Sequence, residues 1–262
     1  MTDSPDLEKD RWRKRLSKER AFEPEFATLS EAGWRNILKG SRRVTSSNHD
    51  TVLSIDWPHY CAWATEACGG ANGWCYTFQG RQATQQHNRH AAMVDVLATR
   101  FPLLFGERVA LEVQKAVALG LIPYSNIRFS GSGEMAERHV AAMRAVVSSG
   151  VHAWGFTRNI RLACELRSFG AFAIYSCDFS TDPAQLQQAQ EAALPLAYSS
   201  RGAFDKPPSN TLVTFPVHKV GRVREVCEAP SLCPKVVSEF LHEYRPPSFC
   251  QAHCRRCHRG AL

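Results

Sequence analysis

Between Asn126 and Val217, short runs rich in β-branched and aromatic residues alternate with longer stretches of helical spacing. No other feature constrains the fold of this 262-residue chain as strongly. Asn126–Ser130 reads as a strand ended by Gly131-Ser132-Gly133, and residues 134–149 read as a helix stopped by Gly150. Val151–Phe156 is the next strand, 159–168 a helix stopped by Gly170, and Ala171–Ser176 a strand. Asp182-Pro183, a capping residue followed by proline at the first helical position, opens a helix over 183–193. Leu194–Ser199 and Thr211–Val217 are the last strands, and Thr51–Asp56 supplies an earlier one. Antiparallel neighbours can be joined by a two-residue turn, but parallel neighbours need a crossover of a dozen residues or more, usually a helix. The alternation therefore predicts a parallel sheet with right-handed crossovers. Six strands fall short of the eight of a closed barrel, so an open or partial barrel is expected, with its site at the C-terminal ends of the strands.

The remaining segments set the organisation. Residues 83–103 and 106–119 have helical spacing of alanine, valine and leucine. Residues 1–50 read as a polar, helical N-terminal arm, 51–218 as the α/β body and 219–262 as a C-terminal appendage with no further strand–helix repeat. The net charge of +7 is uneven: residues 1–43 carry 11 basic and 8 acidic side chains, 219–262 carry 8 and 4, and the centre carries 13 of each. A neutral body argues against the basic groove of a nucleic-acid binder, and the charged ends read first as solvated surface. No window approaches 18 apolar residues, and the charged N-terminus is followed by no apolar segment. The expectation is a cytoplasmic protein without a membrane span.

A reducing compartment changes the reading of the ten cysteines, which then point to metal rather than to disulfides. Cys61, Cys68 and Cys75 have the spacing C-x6-C-x6-C in a glycine-rich segment directly after Thr51–Asp56. Structural zinc takes four protein ligands in a closed tetrahedron, so three thiolates suit it only with a fourth such as His59. A four-iron cluster held by three cysteines keeps one iron open to a ligand, which gives the chemistry a reason for three. Cys227, Cys233, Cys250, Cys254 and Cys257 form a second group near the C-terminus, with gaps of 5, 16, 3 and 2 residues. Four of the five suffice for an iron–sulfur cluster or for structural zinc, and the sequence leaves both open. Cys164 reads as a buried small hydrophobe on a helix, and Cys177 as a strand-end residue near the site.

The first cysteine group, with Gly73-Trp74-Cys75-Tyr76, resembles the cluster loop of the radical SAM superfamily. That superfamily places three cysteines after the first strand of a six-stranded partial barrel and a glycine-rich, acid-ended stretch after the second. Phe129-Ser130-Gly131-Ser132-Gly133-Glu134 stands in the second place, and the resemblance covers about residues 51–217. The superfamily's usual pattern is C-x3-C-x2-C, so this chain looks most like a divergent group of small radical-SAM-like proteins with a C-terminal Cys-Pro and a three-cysteine tail. The resemblance implies a [4Fe-4S] cluster on Cys61, Cys68 and Cys75, flanked by Trp74 and Tyr76. It implies S-adenosylmethionine (SAM) bound by Ser130, Gly131, Ser132, Gly133 and Glu134, with Arg158, Asn159 and Asp178 contributing from later strand ends. Arg158 and Asn159 read equally well as a surface charge and a helix N-cap.

Reductive cleavage of SAM, usually to methionine and a 5′-deoxyadenosyl radical, and hydrogen abstraction from a small organic substrate are then expected. An electron donor such as a flavodoxin or ferredoxin is implied. Cys233, Cys250, Cys254 and Cys257, with Cys227 spare or in exchange, would hold a second, auxiliary cluster, the two-cluster plan of sulfur-inserting enzymes that form C–S bonds in natural products or nucleosides. The alternative is a nucleic-acid-binding protein stabilised by two zinc sites, favoured by the basic ends and opposed by the neutral centre.

Overall fold

A computed structural model describes residues 14, 16–40, 42–47, 52–59, 84–200 and 206–216. Short helices α1 (Glu23–Ala27) and α2 (Glu31–Lys39) precede a two-residue strand β1 (Ser46–Ser47) and β2 (Leu53–Asp56). After the cysteine segment come α3 (Gln85–Arg100) and α4 (Pro102–Ala118). Then follow β3 (Asn126–Ser132), a 3-10 turn (Glu137–His139), α5 (Val140–Ser148), β4 (His152–Thr157), α6 (Ile160–Ser168) and β5 (Phe172–Asp178). The last elements are α7 (Pro183–Glu191), β6 (Leu196–Ser200) and β7 (Thr211–Pro216).

The strands form one sheet in consecutive order, β1 to β7. Only the β1–β2 pair is antiparallel; β2 to β7 are parallel throughout. This is the α/β, six-stranded parallel sheet that the alternation predicts. The helix stops are also in place: Gly150 and Gly170 adopt φ of +82° and +98°, the left-handed region that a glycine enters without steric penalty. Asp182 caps α7 by accepting a hydrogen bond from the Ala184 N–H at 2.9 Å.

Three boundaries differ from expectation. The break between α3 and α4 falls at Phe101, because Pro102 bars its predecessor from helical geometry and then starts the next helix at N1. β3 runs on to Ser132, drawing the expected turn residues into the sheet. α5 begins only at Val140, because the backbone N–H of Ala136 is taken by the Nδ1 of His139 within the 3-10 turn.

The sheet has two apolar faces. Ala173, Tyr175 and Cys177 of β5 join the main core under the helices, whereas Phe172 and Ile174, pointing the other way, belong to a second cluster with Ala197 and Val213. The N-terminal arm is not simply solvated: Phe26, Trp34 and Leu38 are buried in the main core, with the Phe26 and Trp34 rings stacked 5.8 Å apart. Arg89 of α3 and Glu25 of α1 form an ion pair that ties the same arm down.

Candidate functional site

The chain leaves β2 through Asp56, Trp57, Pro58 and His59, and Trp57 and His59 are held differently. Trp57 is fully buried; its indole stacks on the His139 ring at 4.2 Å and donates a hydrogen bond to the Phe129 carbonyl. His139 Nδ1 accepts from the Ala136 N–H, so the ring proton belongs on Nε2, which donates to Asp95 Oδ1 at 2.5 Å. Burial holds the His139 ring below the usual histidine range, with the Asp95 charge pulling against it, so it is neutral. Burial opposes ionisation of Asp95 as well. The bond from His139 and the charge and bond of Arg138 outweigh it and hold the carboxyl below its ordinary range. Two residues on, the His59 N–H and Nδ1 both meet Glu19 of the arm, at 2.7 and 2.6 Å, with both side chains fully covered. The start of the cysteine segment is therefore clamped from the core on one side and from the arm on the other.

Cys61, Cys68, Trp74, Cys75 and Tyr76 lie outside the described residues, as do Cys227, Cys233, Cys250, Cys254 and Cys257. Among the described residues no group of three or more histidine, cysteine or acidic side chains is placed to hold a metal ion. Cys177 is buried and donates weakly to the Ala197 carbonyl at 3.6 Å, and burial pushes its thiol up to about 12. Cys164 is exposed on α6, contrary to the expected buried hydrophobe, because Leu162, Ala163 and Leu166 form that helix's inward face.

Glu134 joins two strand ends. Its Oε1 accepts from Thr157 Oγ1 at 3.1 Å and from the Arg158 N–H at 2.9 Å, and Oε2 takes part in neither bond. Burial raises its carboxyl above the ordinary range, more than those two bonds and the Arg158 charge lower it. The Arg158 guanidinium reaches onward to Asp178 Oδ2 at 2.8 Å, while Asp178 Oδ1 accepts from the Ser180 N–H and Oγ at 2.8 and 2.7 Å. Glu134, Arg158 and Asp178 thus form a chain of contacts across the C-terminal ends of β3, β4 and β5. Asn159 is the N-cap of α6, its Oδ1 accepting from the Leu162 N–H at 3.1 Å.

The two glycines of this segment have reasons of their own. Gly133 has φ of +66°, and a Cβ there would lie 2.1 Å from the Trp57 carbonyl oxygen. A Cβ on Gly131 would lie 2.4 Å from both Asp56 Oδ1 and Ser54 Oγ. Glycine is thus required first by the close approach of β2. Ser132 is buried and pairs with His87 Nε2 at 2.9 Å; His87 Nδ1 in turn lies 3.8 Å from Asp56 Oδ2. Ser130 is buried and its Oγ has no hydrogen-bond partner among the described residues; the same holds for Asp56 Oδ1.

Sequence reasoning missed His87, Asp56 and the Glu19–His59 pair; Thr157 was read with Arg158 and Asn159 as part of an informative strand end, without its bond to Glu134. His87 lies in the first turn of α3, whose polar residues carry no periodic signal toward Ser132, 45 residues away. Comparison with family models, with characterised proteins and with solved structures gives no match.

Proposed function

We propose that this chain is a radical SAM enzyme acting on a small organic substrate. The observation that most supports the reading is one of order. A consecutive parallel sheet of six strands has a first strand running into Cys61, Cys68 and Cys75 and a second ending in the buried carboxyl of Glu134. Consecutive order with right-handed crossovers puts the helices on one face, so such a sheet curls toward a partial barrel with strand ends gathered at one rim.

The donor set fits the group. Cys61, Cys68 and Cys75 would hold a [4Fe-4S] cluster, which when bound supplies the electron that opens SAM to reductive cleavage. Glu134 would hold the methionine ammonium of SAM. A carboxyl kept above its ordinary range by burial gains most from a cation that replaces the lost water. Thr157 and the Arg158 backbone fix the direction of that carboxyl. Asp178 fixes the Arg158 side chain, so the strand ends present a rigid rim. The clamp on Trp57 and His59 sets where the cysteine segment departs. Cys233, Cys250, Cys254 and Cys257, with Cys227 in reserve, would hold an auxiliary cluster, which makes sulfur insertion the reaction type to test first.

Anaerobically purified protein should absorb near 400 nm and contain iron and sulfide. Replacing Cys61, Cys68 and Cys75 together by alanine should remove about four irons per chain. Colourless wild-type protein carrying zinc instead would favour the zinc-stabilised nucleic-acid binder and end the enzyme reading.

A further inference from the structure

The sheet face turned away from the main core contains an arginine with no counter-ion among the described residues. Arg128 of β3 pairs in register with Trp154 of β4. Its guanidinium carbon lies 6.0 Å from the Trp154 ring centroid and 5.3 Å from that of Phe156. Among the described residues its buried Nε has no hydrogen-bond partner and no carboxylate lies within ion-pair distance. The contrast with other covered arginines is direct: Arg108 meets Glu112 at 2.6 Å and Arg158 meets Asp178 at 2.8 Å. Arg128 is half-buried, and it is the covered Nε that lacks a partner; a buried donor left unpaired costs free energy, which a bound acceptor would recover.

Two further features share this face. Ser130 follows Arg128 by two residues, with Phe129 between them turned into the main core, in the stretch where the register against β2 is irregular. Ser130 is buried, and its hydroxyl is also without a partner among the described residues. Beyond Phe156 the face is apolar: Phe215 packs edge-on against Phe156 at 5.9 Å, and Ile174, Ala197 and Val213 form the floor. All of these residues lie on strands β4 to β7; no described helix contributes to this cluster. One side of the face therefore carries Arg128 Nε and Ser130 Oγ as polar groups without partners among the described residues, with Asp56 on the neighbouring strand β2; on the other side the floor is buried and the Phe156 ring is half-buried.

We infer that this face binds an amphipathic small molecule, an oxyanion joined to a flat apolar group, with Arg128 and Ser130 on the oxyanion and Phe156 under the apolar part. A guanidinium presents its donors as a planar fork matched to carboxylate or phosphate, and its stacking on two rings fixes that fork. As a binding site the face stands on its own geometry; as the substrate site it rests on the enzyme reading above and names the class of substrate.

Benzoate and phenyl phosphate serve as probes, with benzyl alcohol as the neutral control. Titration is followed by calorimetry on the full chain before and after iron loading. Wild-type protein should bind at least one anion, and the ratio of the two affinities separates carboxylate from phosphate. Arg128→Gln should weaken anion binding at least tenfold, leave benzyl alcohol unchanged, and unfold at the same urea concentration as wild type or a higher one, since it removes an unpaired charge. Absence of anion binding in the wild type overturns the inference, as does equal anion affinity in the variant. Loss of folding in Arg128→Gln overturns it too, by making the arginine structural. Because the probes bind before iron is loaded, failure here is distinct from failure to cleave SAM.

Discussion

Replacing Gly133 by alanine tests how tightly the end of β3 is locked to the exit from β2. Gly150 is the control: its φ is +82°, and an added Cβ there meets nothing within 4 Å. Gly150→Ala therefore costs only the left-handed conformation, about 1 kcal/mol, partly offset by a stiffer unfolded chain. At Gly133 the same conformational cost applies, but the new Cβ would sit 2.1 Å from the Trp57 carbonyl oxygen and 2.8 Å from that of Pro58. Ordinary contact begins near 3.4 Å, so backbone must retreat by about 1 Å. That shift pulls apart the Trp57 N–H bond to the Ser132 carbonyl, 2.9 Å long, and the indole bond to Phe129. At about 1 kcal/mol for each bond, Gly133→Ala should cost about 3 kcal/mol in all. Urea unfolding followed by tryptophan fluorescence measures both variants against wild type. Equal losses for Gly133→Ala and Gly150→Ala would refute the claim that this junction is closely packed.

Other consequences follow from the same geometry. Glu134→Gln should weaken SAM binding, read by calorimetry, at unchanged iron content. SAM binding to the wild type should also release protons at pH values where the raised carboxyl is still partly protonated, because a bound cation lowers its pKa. Asp178→Asn removes the carboxylate charge 2.8 Å from the mostly covered Arg158 guanidinium, 13 % exposed, and should cost up to about 3 kcal/mol in urea unfolding. Asp95 is ionised more readily folded than unfolded, so its contribution is present above the unfolded carboxylate pKa of about 4 and is lost as pH falls through the lower folded value. Asp95→Asn should accordingly flatten stability against pH in that acid range. Cys250→Ala with Cys254→Ala should lower iron content by about four per chain while SAM consumption persists.

Strand order was legible because each parallel crossover repeats one local signal. An apolar run, a capped helix and a glycine stop succeed each other, and Gly150, Gly170 and Asp182 act within a few residues of themselves. Contacts that shape the site are non-local and left no such trace. Trp57 stacks on His139, 82 positions away, and His59 meets Glu19 across 40 positions. The polar arm concealed Phe26, Trp34 and Leu38 because its composition, averaged over many charged residues, hides one narrow apolar stripe. Glu134 was readable as a carboxyl after the second long strand, but not its bonds to Thr157 and Arg158, which depend on how far β3 runs past Ser130. Glycine at 131 and 133 was read as room for a ligand; the side chains of Ser54 and Asp56 and the carbonyls of Trp57 and Pro58 make their own demand for it.

The most direct test of the account is SAM consumption by iron-loaded, dithionite-reduced protein under anaerobic conditions, with methionine quantified by chromatography. The wild type should consume SAM and accumulate methionine or the corresponding sulfur fragment, and the triple Cys61→Ala, Cys68→Ala, Cys75→Ala variant should leave it intact. Wild-type protein that carries its full complement of iron yet leaves SAM unchanged would contradict the account, as would a triple variant that consumes it at the wild-type rate.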